Sequence, residues 1–400
     1  MQMRAVFRPA ALALLAASTL LAGCGGGDSP AGPAPELVAS GQQIFRYDTF
    51  GDETQWTDTL RMHEVIETVS PKTALAVGLK VDAEALPAAV VDGVRNGTVD
   101  LDDPQTTLAL IKLDAVIGVK GVVETVGGVE RLRRVGITCA LCHSTVDDSF
   151  AKGIGRRLDG WANRDLNPGA IIALSPALDA AKKAVYQSWG PGMYDPRFNI
   201  DGIGKPVVIP PAFGLAGVHK TTFTGDGDDI AYWNRYVAVT QMGGHGNFTD
   251  ARLNLDITHG TEDLVSDKLP ALQAYQLSLA PPPAPAGSFD ASAAARGRTL
   301  FNGTARCATC HTGSTFTDAN FRLHATTDSM AEPETPSYAA RTATGKYRTT
   351  PLRGAWQHAP YFHDGSAATL DAAVETYNRR LGLGLSAQDV QDVAQYVRSL

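Results

Sequence analysis

Cysteine is scarce in this chain, with five among 400 residues, at positions 24, 139, 142, 307 and 310. Five is too few for a disulfide-built scaffold, and an odd count leaves at least one cysteine to be explained separately. Positive charge is also short. There are 35 Lys and Arg against 42 Asp and Glu, a formal net charge of −7. No basic patch suggests nucleic acid as a partner. Long apolar runs are missing too, because the stretch Ala10 to Leu21 is too short for a permanent membrane-spanning helix. The ordinary mixture of 44% hydrophobic and 19% charged residues excludes collagen, coiled coil and wholesale disorder. The length allows two or three domains with real cores.

What the chain does carry near its start is an export signal. Arg4 and Arg8 precede the apolar run, and Leu21-Ala22-Gly23-Cys24 closes it. The last four residues resemble the bacterial lipobox, which implies cleavage after Gly23 and lipidation of Cys24. Residues 1–23 then read as a lipoprotein signal peptide. Residues 24–36, rich in Gly and Pro, read as a flexible tether. The second residue after Cys24 is Gly26 rather than aspartate, which favours the outer membrane over retention at the inner one. The expected location is therefore periplasm-facing, held to the membrane by the lipid alone. Loss of residues 1–23 removes two arginines and no acids, leaving 33 bases against 42 acids, or −9.

The other four cysteines fall into Cys139-Ala140-Leu141-Cys142-His143 and Cys307-Ala308-Thr309-Cys310-His311. Both read C-x-x-C-H, the attachment motif of c-type haem. Two intervening residues let one turn present both sulfurs to the two vinyl groups of a porphyrin. The histidine that follows is carried beneath the ring to ligate iron. A zinc site built from both pairs is disfavoured by the separation of more than 160 residues between them. Two covalent haem c groups are the expected cofactors, with His143 and His311 as proximal ligands.

Landmarks recur in order through the two halves. Gly41-Gln-Gln-Ile-Phe45 matches Gly297-Arg-Thr-Leu-Phe301, and an attachment motif follows each. Ile209 to Gly217 parallels Thr349 to Gly354, and Phe223-Thr-Gly-Asp226-Gly227 parallels Phe362-His-Asp364-Gly365. Leu272 to Leu279 parallels Val393 to Leu400, with Ser386 and Asp389 as a capping signal before the second. The expected fold is mainly α, two cytochrome c-like domains from a diverged duplication. They span residues 37–280 and 288–400, joined by the stiff Pro-rich linker 281–287. The first carries an insertion at about 46–138, expected to hold a helix near Met62 to Val69. Strands are expected over Leu108 to Val119 and Gly121 to Ile137, with a hairpin turn at Gly127-Gly128.

The combination resembles the bacterial di-haem cytochrome c peroxidase superfamily, which includes the MauG-type enzymes. The match is closest in Tyr347-Arg-Thr-Thr-Pro-Leu-Arg-Gly354 and Ala359-Pro-Tyr-Phe-His-Asp-Gly-Ser366. The resemblance implies that Tyr377 occupies the sixth-ligand position of the second haem, where peroxidases carry methionine and MauG-type enzymes tyrosine. Phenolate is a hard anionic donor that favours ferric and higher states, whereas a thioether favours ferrous iron. The resemblance also implies calcium between the lobes, near Thr349 and Pro351, with Asn163 or Asn167 supplying a side-chain oxygen. Trp161 or Trp189 takes the place of an inter-haem electron relay. The first half departs from the pattern, for Gln241-Met242 stands where the family has a Glu-Met pair, and Gln241 cannot shuttle protons. Met242 or His245 is the candidate distal ligand of the first haem, and His219 or His245 a candidate acid–base residue. His358 and His363 read as hydrogen-bonding members of the second-domain signature.

Two functions remain open on these residues. One is a peroxidase-like oxidoreductase acting on hydrogen peroxide, with Gln241 and His245 beside the reacting haem. The other is a lipid-anchored electron carrier with both irons six-coordinate. Either would exchange electrons with a small cytochrome or cupredoxin that docks by charge.

Overall fold

The computed structural model describes residues 33–328 and 336–400. The expected signal peptide and Cys24 lie outside them. The described chain is mainly α, with short two-stranded sheets between the helices.

The first helix, α1 (Pro35–Tyr47), opens with Pro35 in the first turn, where a missing N–H costs nothing. It packs on α2 (Leu269–Ser278). Their closest approach is at Gly41, where an added Cβ would lie 1.9 Å from the Ala271 carbonyl oxygen. Phe45, one turn on, is fully buried and meets Tyr275 edge-on at 5.5 Å. The same arrangement recurs between α3 (Ala291–Asn302) and the C-terminal helix Ala387–Arg398. A Cβ on Gly297 would sit 1.9 Å from the Asp392 carbonyl oxygen, and Phe301 meets Tyr396 at 5.1 Å. A glycine and a phenylalanine four residues apart thus set each crossing, because only a bare Cα lets the backbones approach so closely. Between these helices runs α4 (Leu370–Leu381), and the C-terminal helix is α5. A capping box starts α5, with Ser386 Oγ accepting from the Asp389 N–H and the Asp389 carboxylate from the Ser386 N–H.

The insertion corrects one expectation. Residues 108–112, read as the start of a strand, belong to the helix Pro104–Lys112. Asp103 caps it through the Gln105 N–H and Pro104 fills the first position. Thr107, Leu108, Leu110 and Ile111 are buried at helical spacing. The hairpin forms as expected from Val119–Val126 and Val129–Ile137. Gly127 and Gly128 have φ of +61° and +83°, the conformation a two-residue turn between right-twisted strands demands. The expected helix near Met62 to Val69 is shorter, Met62–Ile66.

The insertion core of Met62, Leu108, Ile111, Leu132 and Val135 also receives Leu141 and Tyr194. Leu141 lies between the two cysteines of the first motif. The insertion therefore packs directly on the attachment loop, and Gly118 is pressed against the Leu141 backbone.

The halves share buried charges. Arg197, nearly inaccessible, donates through Nη2 to Asp226 at 3.1 Å. Asp226 also accepts from the Ala343 N–H. Arg341 forks onto Asp195 and Asp201. Along the linker, Trp356 Nε1 donates to the Pro282 carbonyl at 3.0 Å.

Candidate haem-attachment sites

Cys139, Cys142 and His143 lie on a turn that ends in the short helix Ala140–His143. The turn is held from outside by residues 160–163. The Gly160 N–H donates to the His143 carbonyl at 2.8 Å and the Asn163 N–H to the Cys142 carbonyl at 2.9 Å. Burial raises both thiols to about 12, so they are neutral in an apolar setting. Burial also lowers the His143 imidazole to about 4. Its Nδ1–H donates to the Pro210 carbonyl at 3.0 Å, which leaves Nε2 as the lone-pair nitrogen.

The second site repeats this chemistry. His311 Nδ1–H donates to the Phe316 carbonyl at 3.1 Å, and burial lowers its pKa. Cys307 is raised to about 11 by burial. A ligating histidine typically donates its other N–H to a carbonyl in this way, fixing tautomer and ring orientation. Both attachment motifs therefore fit a covalently held haem. Two thiols stand ready for the vinyl groups, with an imidazole pre-set to offer Nε2. Cys310 Sγ also lies within 4.8 Å of ligand atoms of Asp318 and His324, but a thioether bond would withdraw that sulfur from a separate metal group.

On α4, Tyr377 stands edge-on to the His311 ring with centroids 6.5 Å apart. Burial raises its phenol, with the Cys307 and Cys310 sulfurs adding to the effect. The hydroxyl has no hydrogen-bond partner among the described residues.

Met242 is buried in a core with Phe45, Tyr236 and Val239, and Cys139 packs on the same cluster. It ends a π-helical turn, Val237–Met242, of a kind frequent at functional sites. Gln241 accepts from the Tyr194 hydroxyl at 2.9 Å and donates to Asn199 and Thr240. Tyr194 joins this group from far away in the chain. It is a buried phenol, raised well above its ordinary pKa by burial, close enough to Cys142 to feel its charge. No local spacing signals it.

The His245 ring sits between Gly51 and Gly260, and no hydrogen bond or ring contact joins it to Gln241 or His143. His219 is exposed, its N–H held by Asn320. Asn163 donates to the Gly78 carbonyl and accepts from the Leu166 N–H. Asn167 caps the helix Pro168–Ile172. The Thr349 carbonyl accepts from Thr317, and its hydroxyl pairs with His324. The side-chain oxygens of Asn163 and Asn167 and both oxygens of Thr349 are thus engaged within the protein. The adjoining Thr350 and Pro351 lie in the loop that passes His311. Trp161 meets Trp356 edge-on at 5.6 Å across the junction of the halves, whereas Trp189 is packed among Tyr186, Tyr194 and Phe198. His363 is buried against Tyr347 and Tyr338.

Residues 345–381, which carry Thr349, Pro351, His358 and Tyr377, match the family described as RoxA-like, cytochrome c-like. This segment is cytochrome c-like. Together with the two C-x-x-C-H motifs, this cytochrome c-like segment supports haem binding and an electron-transfer or oxidoreductase role.

Among solved structures, a MauG-like protein associated with microbial copper homeostasis is 23% identical, with a TM-score of 0.26. That match covers 35% of this chain and 58% of the other, little more than half of the relative's length. A hydrazine synthase from Kuenenia stuttgartiensis is 19% identical over 54% of this chain and 78% of its own, with a TM-score of 0.35. No curated protein matches the sequence.

Proposed function

We propose that the protein is a di-haem c-type cytochrome of the cell envelope, tethered through lipidated Cys24, that moves electrons between two haems and reduces hydrogen peroxide. The observation that carries the di-haem part is the repeated histidine geometry. In each motif Nδ1–H is spent on a backbone carbonyl and Nε2 is left to ligate. When bound, haem c supplies one-electron exchange at iron. The chain's own residues then orient it, exclude water and set its potential.

At the second site the Tyr377 ring meets His311 edge-on, and as phenolate it would hold oxidised states. Trp161 and Trp356 form the aromatic contact between the halves, suited to carrying electrons from one site to the other. The mature charge of −9 suits a small redox protein with a basic docking face. A periplasm-facing outer-membrane location fits a haem assembled after export.

One observation favours the second reading, electron carriage alone. Gln241, standing where the family has its acid–base glutamate, is tied up with Tyr194, Asn199 and Thr240 and has no proton to exchange.

Optical and EPR spectra of the oxidised protein, recorded before and after partial reduction and then with peroxide, decide between the two. A high-spin ferric signal that is lost on adding peroxide is the expected result. Two low-spin haems inert to peroxide in both states would leave carriage alone.

A further inference from the structure

Where the two halves meet beside the first attachment loop, a group of hydrogen-bond donors has nothing to donate to. Arg164 Nη2 donates to the His358 carbonyl at 2.9 Å. Its Nε and Nη1 are closed to solvent and have no partner, and Nε2 of His358 is in the same condition. No carboxylate pairs with Arg164 among the described residues. Burial pulls its guanidinium down to about 10, relieved only by Tyr361, and lowers the His358 imidazole to about 3. A desolvated cation with idle N–H groups is a costly thing to leave alone.

The place is as telling as the lack of partners. Asn163 is bonded to the Cys142 carbonyl, so Arg164 follows directly from the turn that clamps the first motif. The positive charge of Arg164 contributes to the lowered pKa of both His143 and His358. The His358 ring lies 5.8 Å from that of Phe213, which is wedged between Gly160 and Gly354. A guanidinium fork with an imidazole N–H beside it matches the oxygen pair of a carboxylate.

We propose that Arg164 and His358 together bind one propionate carboxylate of the haem attached at Cys139 and Cys142. The second half of the chain thereby takes hold of the first half's cofactor. This rests on the reading of the first motif as a haem site. Both residues are positioning residues. They fix the ring's edge and compensate a negative charge near the iron, so they set its potential as well as its seat.

The test is a redox titration of the purified holoprotein. Arg164→Met keeps the stem and removes the charge, and the now uncompensated carboxylate stabilises ferric iron. The midpoint potential of one haem should fall by enough to change its ferric-to-ferrous ratio at least tenfold at a fixed applied potential, about 59 mV for a one-electron couple. The other haem should not move. Arg164→Lys should recover most of the shift, and His358→Phe should shift the same haem in the same direction by less. Redox-difference infrared spectra should show displaced carboxylate bands in Arg164→Lys, a change that a purely structural role would not produce. Wild-type potentials and carboxylate bands in Arg164→Lys and His358→Phe would overturn the proposal, even if Arg164→Met failed to accumulate. Failure of the underlying haem reading shows separately, as wild-type peptides bearing Cys139 and Cys142 without added haem mass.

Discussion

Tyr377 projects from α4 toward His311 with its hydroxyl unpaired, in surroundings that keep a phenol neutral unless something exchanges for its proton. A metal cation does so, because coordination deprotonates the ligand it binds. Tyr377→Phe is therefore expected to alter the EPR and charge-transfer bands of one haem and raise its potential, with the other unchanged. Spectra identical to wild type would remove tyrosine as a ligand. Asp52 offers a second residue-scale consequence. Burial raises its carboxyl to about 9, although both oxygens face the Ile137 N–H. The folded protein thus holds a proton that the unfolded chain releases above about pH 4, so stability falls as pH rises from there to about 9. Asp52→Asn keeps an acceptor and discards the titration. Urea unfolding at pH 5 and pH 8.5 should show a smaller loss across that interval in the variant than in wild type.

The helix crossings are where sequence and structure agree most closely. Gly41 with Phe45 and Gly297 with Phe301 are four residues apart, one helical turn, so a single face presents both the gap and the plug. Gly297→Ala would place a methyl 1.9 Å from the Asp392 carbonyl oxygen and force α3 off α5. Overpacking against backbone costs about 3 kcal/mol. Exposed Thr299→Ala on the same helix should change stability by less than about 0.5 kcal/mol. Urea titrations followed by circular dichroism compare the two.

Elements fixed by local chemistry were legible in the sequence: the Gly127-Gly128 turn and the Ser386–Asp389 cap. The run from Leu108 misled because apolar β-branched neighbours read as strand. The decision lay with Asp103 and Pro104, a helix start just upstream. Tyr194 and the pairing of Arg164 with His358 could not be read, since each acquires its role from residues far away in the chain. His245 illustrates the converse. It neighbours Met242 in sequence, yet the turn at Gly243-Gly244 carries its ring to Gly51 and Gly260 instead.

At the scale of the molecule, the buried set of Arg197, Asp226, Arg341 and Asp195 fastens residues 195–226 to residues 341–343. Removing one partner strands the other charge in a medium that cannot solvate it, at about 3–5 kcal/mol. Asp226→Ala should therefore destabilise the whole described chain in calorimetry, whereas Asp228→Ala, on the exposed side of the same loop, should cost far less. If both variants melted with the wild type, the set would carry no weight in holding the halves together.

The linker at 281–287 reads as a natural breakpoint for recombination, a seam at which one half of the chain could be traded for a relative's. The shared charges oppose such a trade. An incoming second half would need its own arginine at the place of Arg341 and a main-chain N–H at the place of Ala343, or it would leave Asp195 without its guanidinium and Asp226 with one donor fewer. The two halves are thus inherited as a pair, and substitutions at positions 195, 226 and 341 should be found to change together or not at all.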